Sequence, residues 1–329
     1  MSPFILFTVT FAFTFFLSAG AMHFLLPLLK ARHVGQKILE IGPAWHKAKE
    51  GTPTMGGLSF VAATLISLLI SRFLVLYDEP AFFLRPVLLS FLYALANAFV
   101  GTVDDLTKFH KRENEGLTPG QKMALQITFA AAYLSLMRLY GHIDTGFYLP
   151  FFNVVLDFGF AYYFFAMILC VGTVNCVNLT DGIDGLCASV SLVAGAAFAV
   201  FGIITGENGT LLLSALQMGA CLGFLLYNRH PARVFMGDTG SLFLGGLFVG
   251  CGFCANNALL VLLIGGFYIF EGVSVVLQVF FYKLTGRRLF RMAPFHHHLE
   301  KCGWSEKQIV LAASAVTAIT GGAALLSLL

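Results

Sequence analysis

Long unbroken apolar runs dominate the sequence, and they restrict the fold more than any other feature. A helix of about 20 apolar residues crosses a hydrocarbon core of roughly 30 Å. Ten stretches fit: 4–29, 56–76, 85–103, 123–140, 159–177, 186–204, 211–227, 240–255, 258–282 and 309–329. In lipid the backbone must satisfy its own hydrogen bonds, which leaves helices or closed barrels. Barrel strands alternate apolar and polar residues, and these runs do not. Only 11% of the 329 residues are charged, against about 25% in soluble domains. A soluble enzyme and a disordered chain are therefore excluded. The expectation is an all-α polytopic membrane protein with ten transmembrane helices in one domain, 1–329. The span at 240–255 is short, and its border with 258–282 is the least marked. No Lys or Arg precedes Lys30, so the first run lacks the basic start of a cleaved signal peptide and reads as a retained helix.

Charge sets the orientation. Seventeen of the 20 Lys and Arg fall in the odd-numbered loops, and only Arg72, Arg85 and Arg138 lie elsewhere. By the positive-inside rule the odd loops are cytoplasmic, and both termini are extracytoplasmic. A net basic cytoplasmic face also attracts anionic lipid and nucleotides. The seven cysteines are odd in number and mostly inside apolar runs, so no disulfide framework is expected. Cys251 and Cys254 read as small packing residues.

Five polar clusters stand out, all in odd loops: 30–55, 104–122, 175–185, 228–239 and 283–308. Asp104-Asp105 end the third span. Adjacent carboxylates at 4 Å repel by about 4 kcal/mol at an effective dielectric of 20, a cost that a divalent cation or a proton removes; the plain alternative is a solvated helix end. Asn175-Cys-Val-Asn178-Leu-Thr-Asp181-Gly-Ile-Asp184-Gly-Leu186 carries no Lys or Arg, so topology does not explain its polarity. Its alternative is a capped turn. Phe235-Met-Gly-Asp238-Thr-Gly-Ser241 opens the eighth span, where free N–H groups suit a phosphate and Asp238 suits a metal or an N-cap. Asn228 precedes it in the same loop. Pro294-Phe-His296-His297-His298-Leu-Glu300 reads as a loop wall of phosphate donors or a solvated basic loop. Lys49 and Thr54 flank Gly56-Gly57, without a P-loop pattern. His23 and Glu271 lie inside spans but outside any motif, and a helix–helix hydrogen bond is expected for each. Gly265-Gly266 is a candidate flexing point in the ninth span.

Carboxylates for Mg²⁺, with Lys and His for phosphate oxygens, point to an enzyme at the membrane surface acting on a phosphate or pyrophosphate substrate. A transporter would place its polar site near the bilayer midplane, and these clusters sit at one interface.

In order, Gly51-Thr-Pro-Thr-Met-Gly-Gly57, Asp104-Asp105, the Asn175–Leu186 segment, Phe-Met-Gly-Asp-Thr-Gly-Ser and Pro-Phe-His-His-His-Leu-Glu resemble the phospho-N-acetylmuramoyl-pentapeptide-transferase (MraY) family. That family lies in the polyprenyl-phosphate N-acetylhexosamine-1-phosphate transferase superfamily. The resemblance runs over about 30–310, and the triple-His and Thr-Pro-Thr-Met segments are the more specific to the muramoyl branch. It implies transfer of phospho-MurNAc-pentapeptide from its UDP carrier to undecaprenyl phosphate, giving lipid I and UMP in peptidoglycan synthesis. It also implies Mg²⁺, a site on the cytoplasmic side of the cytoplasmic (inner) membrane, a homodimer, no nucleic-acid partner, and inhibition by nucleoside antibiotics of the tunicamycin and muraymycin class. By motif, Asp238, Asp104 and Asp105 are metal ligands and catalytic residues, and His296 joins the catalytic set. Lys49, Thr54, Asn175, Asn178 and Asn228 line the nucleotide and diphosphate path, and Phe235 stacks on uracil. Asp181 and Asp184 complete the acidic cleft, with Asp184 at the uridine. Lys108 and Lys122 contact phosphate or nucleotide, His296 and His297 face the sugar-phosphate end, and His298 is a further substrate-binding residue. The alternative is a sister transferase that uses UDP-GlcNAc.

Overall fold

A computed structural model describes residues 3–32, 49, 51–74, 81–111, 116–149, 151–152 and 154–327. Lys37, Glu40 and Lys47 of the first loop, Glu50 beside Lys49, and Arg112, Glu113 and Glu115 of the third lie outside these residues. The described chain is mostly helical: α1 (Pro3–Ala31), α2 (Gly57–Leu74), α3 (Ala81–Lys111), α4 (Pro119–Leu139), a hairpin of β1 (Gly146–Leu149) and β2 (Val154–Asp157), α5 (Ala161–Thr180), α6 (Leu186–Thr205), α7 (Asn208–Asn228), α8 (Gly237–Cys254), α9 (Leu259–Ile264), α10 (Gly266–Thr285), α11 (Phe295–Lys301) and α12 (Glu306–Leu326). Eight helices among the described residues are long and apolar enough to cross a membrane: α1, α3, α5, α6, α7, α8, α10 and α12. The chain is a polytopic membrane protein. The expected spans at 56–76 and 123–140 are also helices, but α2 holds a shorter apolar stretch, Gly57–Arg72, and α4 is not among the eight.

Helix α8 is the axis of the bundle. Every residue from Thr239 to Cys254 is buried, with α3 along one side and α5, α7 and α2 around it. Apolar side chains bring little association energy in lipid, so close backbone packing and polar contacts hold such helices together. The glycines of α8 permit that approach. A Cβ at Gly246 would lie 2.7 Å from Ala94 Cα on α3, and one at Gly245 would lie 2.8 Å from Val174 Cα on α5. Buried hydroxyls add interhelical hydrogen bonds: Ser90 to Tyr133 at 2.9 Å, and Ser191 to Tyr268 at 2.7 Å. The outer helices turn Phe4, Phe16 and Phe24 of α1, Phe280 of α10 and Leu311 and Ile319 of α12 outward, as lipid-facing surfaces require.

Three elements depart from the expected pattern. The loop at 141–158 contains an antiparallel hairpin, with Gly146 paired to Asp157 and Leu149 to Val154. The ninth span is broken at Gly265: α9 stops and α10 starts anew. A Cβ at Gly265 would collide with the Val261 carbonyl oxygen, so the break needs glycine. The triple-His segment is the short helix α11 rather than a loop, begun at Pro294 and packed through Phe295 on Phe270 and Phe290. Cys251 and Cys254 are buried free thiols, as expected.

Candidate active site

The first turn of α8 is capped from another helix. Met236 at its N-cap position has no side-chain cap bond, leaving the N-terminal N–H groups to find acceptors. Asp105, near the end of α3, supplies them. The Asp238 N–H donates to Oδ1 (3.1 Å) and the Thr239 N–H to Oδ2 (2.9 Å), where the Thr239 hydroxyl also donates (2.7 Å). The amides expected to await a phosphate are thus already engaged, because a carboxylate one residue beyond Asp104 reaches them first. Gly101 allows the approach: a Cβ there would overlap the Asp238 carbonyl.

Asp238 is the meeting point of four helices. Its Oδ2 accepts from Lys108 of α3 (3.0 Å) and Lys122 of α4 (2.9 Å), and its Oδ1 accepts from the Asn178 amide of α5 (2.9 Å). Asn178 also donates to Ser241 Oγ at 2.8 Å, and Lys122 to Asn178 Oδ1 at 3.3 Å. Asp104 accepts from Lys108 (2.6 Å) and from the Leu117 N–H (2.8 Å). The Thr118–Gln121 capping box starts α4 one turn before Lys122 and so aims that lysine inward.

The ligand oxygens of Asp104, Asp105 and Asp238 lie within 4.8 Å of one another. Three hard oxygen donors beside two phosphate-seeking lysines fit a Mg²⁺ shared with substrate phosphates. Asp104 and Asp238 are the better placed to hold it, since Asp105 already accepts three hydrogen bonds from α8.

A second cluster joins elements far apart in sequence. Lys49 reaches Asp184 at 2.7 Å and Glu306, in the first turn of α12, at 2.7 Å. Asp184 Oδ2 accepts from the Ala232 N–H (2.9 Å) and faces His230 Nδ1 (3.0 Å), while the Asp184 N–H donates to Glu306 (2.9 Å). Asp184, His230 and Glu306 could also geometrically hold a metal, with Lys49 bridging the two carboxylates as Lys108 bridges Asp104 and Asp238. Asp184 is thus drawn away from the first cluster. Asp181 stays between the two: burial, then the charges of Asp238, Asp105 and Asp184, push its carboxyl up to about 8.

The other expected site residues are placed as follows. Asn228 is buried and staples two loops, accepting from the Gly185 N–H (3.1 Å) and donating to the Val234 carbonyl (2.8 Å). Asn175 turns to Gln126 of α4 (2.8 Å) rather than to either cluster. Half-buried Phe235 pairs by its backbone with Pro53 and Gly56, which docks the Thr54 segment beside Gly237. His296 is fully buried against Glu271. His297 is held by Glu300 at 2.6 Å, and His298 accepts from the Arg291 N–H at 3.1 Å. Glu271 makes the helix-to-helix bond expected of it; His23 is exposed, its ring edge-on to Phe24.

Residues 49–61 match the first signature of phospho-N-acetylmuramoyl-pentapeptide-transferases, and residues 87–256 match glycosyl transferase family 4. The chain is 40% identical over 299 residues to the phospho-N-acetylmuramoyl-pentapeptide-transferase of Staphylococcus aureus strain bovine RF122 / ET3-1, covering 90% of this chain and 91% of the relative. It is equally similar to that of strain JH9. The chain belongs to the phospho-N-acetylmuramoyl-pentapeptide-transferase family. The signature at 49–61 contains Lys49 of the second cluster and the Gly56-Gly57 turn that lies on α8. The sequence reading assigned no role to Glu306, His230 or Ser241. Ser305 and Gln308 form a capping box, a signal that marks the start of α12 and places Glu306 in its first turn. Nothing comparable marks His230.

Proposed function

We propose that the Asp238 cluster is the catalytic centre of a phosphoglycosyl transferase and lies at the cytoplasmic leaflet. The chain transfers phospho-MurNAc-pentapeptide to undecaprenyl phosphate, forming lipid I, and releases UMP from the UDP-linked donor. The observation that carries this assignment is Asp238 itself: one carboxylate gathers two lysines and an asparagine from three other helices. Phosphoryl transfer needs positioning and charge neutralisation more than covalent chemistry, and that arrangement supplies both. Lys108 and Lys122 exchange Asp238 for diphosphate oxygens when the donor binds. Asn178 keeps Asp238 oriented, and Asp105 fixes the first turn of α8 against α3. Asp104, beside Lys108, is placed to take the proton of the lipid phosphate. Asp104 and Asp238 hold the Mg²⁺, with Asp105 beside them; when bound, the ion neutralises charge on the diphosphate.

Lys49, Asp184, Thr54 and Phe235 border the nucleotide end in the same reading, and the triple-His helix borders the sugar-phosphate end. The ten-span topology, with the termini outside, follows from the distribution of Lys and Arg. It puts the Asp238 and Asp184 clusters on one side of the cytoplasmic membrane. Homodimerisation and inhibition by tunicamycin- and muraymycin-class nucleosides belong to this reading too.

The test incubates purified protein with undecaprenyl phosphate, Mg²⁺ and either UDP-MurNAc-pentapeptide or UDP-GlcNAc, and measures UMP and lipid-linked sugar. Product from the muramoyl donor alone, stopped by EDTA and restored by Mg²⁺, is expected. Lipid-linked product from UDP-GlcNAc alone would move the chain to the sister class.

A further inference from the structure

We propose that Glu271 is a positioning residue of the transferase site, acting through His296 to set the loop after α5 that carries Asp181 and Asp184. The proposal rests on the catalytic reading above. Glu271 lies within α10 and is 0% exposed. A buried carboxylate in a membrane helix is costly unless donors surround it. The donors here come from one residue. The His296 N–H donates to Oε1 at 3.1 Å, and His296 Nδ1 lies 3.1 Å from Oε2. A carboxylate that already accepts from the backbone is set up to accept again, so the imidazole proton facing it sits on Nδ1. The ring is thereby fixed in tautomer and direction.

The other ring nitrogen is the informative one. His296 Nε2 is buried and has no hydrogen-bond partner among the described residues. It points at Gly182, between Asp181 and Asp184, and a Cβ at Gly182 would collide with it. The imidazole edge therefore occupies a notch that only glycine leaves open. Glu271 is itself registered against α5, the helix of Asn178, because a Cβ on the next residue, Gly272, would overlap Cys176 Sγ. Three contacts close a circuit: α10 on α5, Glu271 on His296, and His296 on the loop after α5. A hydrophobic contact would fill the same space without a buried charge. The ionisable pair adds a defined orientation of Nε2 toward the acidic loop. The charged and titratable groups facing the pair are His297, whose ring centre lies 4.2 Å from that of His296, Glu300 behind His297, and Asp181 across Gly182.

The test compares wild type, Glu271→Gln and Glu271→Asp by steady-state kinetics and by ¹⁵N NMR of labelled histidine. The His296 signal is assigned by its loss in His296→Asn. In wild type the neutral ring is expected as the Nδ1–H tautomer. Glu271→Gln, which offers an amide donor to Nδ1, is expected to shift it to Nε2–H. It should lower kcat about 10- to 100-fold, the usual cost of losing a partner that orients a functional histidine, with the donor KM little changed. Glu271→Asp should recover part of both. Wild-type kcat in Glu271→Gln, or a change in KM alone, overturns the proposal. If Glu271→Gln does not fold, an Nε2–H tautomer in wild type overturns it on its own. The NMR signal needs no substrate. A wild-type protein inactive on UDP-MurNAc-pentapeptide would therefore fail the catalytic reading without deciding this one.

Discussion

The Asp238 and Asp184 clusters use the same residue types in different numbers. Around Asp184 the partners tie distant segments together. Lys49 bridges two carboxylates, a backbone N–H fills the other oxygen of Asp184, and the Asp184 N–H closes on Glu306. That is a latch, tying the segment before α2, the loops before α6 and α8, and the start of α12. Around Asp238 three carboxylates meet two lysines, one more of each than around Asp184. Like charges about 4 Å apart cost on the order of 4 kcal/mol at an effective dielectric of 20. The third carboxylate adds a hard oxygen donor and the second lysine a phosphate partner, the combination that suits a cation shared with phosphates.

The largest expected effect is at Asp238. Asp238→Asn keeps the shape but removes the charge that gathers both lysines, and turnover should fall by about 10²- to 10³-fold while the protein still folds. Gly101→Ala comes next. It touches no charged group but pushes the Asp238 carbonyl off α3, and misplacement of about 1 Å costs on the order of 10²-fold; UMP release should drop while the protein stays folded. Glu306→Gln should reverse the pattern. Lys49 and Glu306 are part-buried, so removing one partner costs less than the about 3–5 kcal/mol of a fully buried pair; the melting temperature should fall while turnover of the folded protein stays within about tenfold of wild type. A loss of turnover like that of Asp238→Asn would erase the distinction between latch and catalytic centre.

The most gradual effect is a pH dependence from Asp181, which lies between the two clusters. Its carboxyl is pushed up to about 8 by burial and neighbouring aspartates, above the unfolded value of about 3.9. The folded state therefore holds a proton that the unfolded state releases. Stability from this group is complete below about pH 4 and is lost as pH rises toward about 8, at no more than about 1.4 kcal/mol per pH unit. Asp181→Asn should flatten that slope in thermal melts without divalent ions. An unchanged slope in the variant would assign it elsewhere.

Much of this architecture was legible in the apolar runs, because hydrophobic length alone marks a membrane helix. Each of the ten expected segments is helical over most of its length, with one of them split at Gly265. The hairpin was not, although Phe147, Tyr148, Val154 and Val155 are residues that favour strands; they sit in a loop read only for its polarity. The three histidines were read as a loop wall because adjacent residues on a helix face different ways. That divergence is what α11 uses, sending His296 to Glu271, His297 to Glu300 and His298 to the Arg291 backbone. That Asp104, Asp105 and Asp238 come together was legible from motif and position. Their division of labour was not, since Asp105 caps a helix 133 residues downstream and no local spacing encodes that pairing. The latch is hidden in the same way, with Lys49, Asp184 and Glu306 on three distant segments. Lys122 is the intermediate case, because the Thr118-Pro119-Gly120-Gln121 cap that sets its register is written beside it.

The central claim is that carboxylates from α3 and α8 jointly hold one divalent ion at the substrate diphosphate. Electron paramagnetic resonance of Mn²⁺, titrated into wild type and Asp238→Asn with UDP-MurNAc-pentapeptide present, tests it most directly. The account predicts one tightly held ion in wild type and its loss in the folded variant. Equal Mn²⁺ affinity in the two proteins would contradict it.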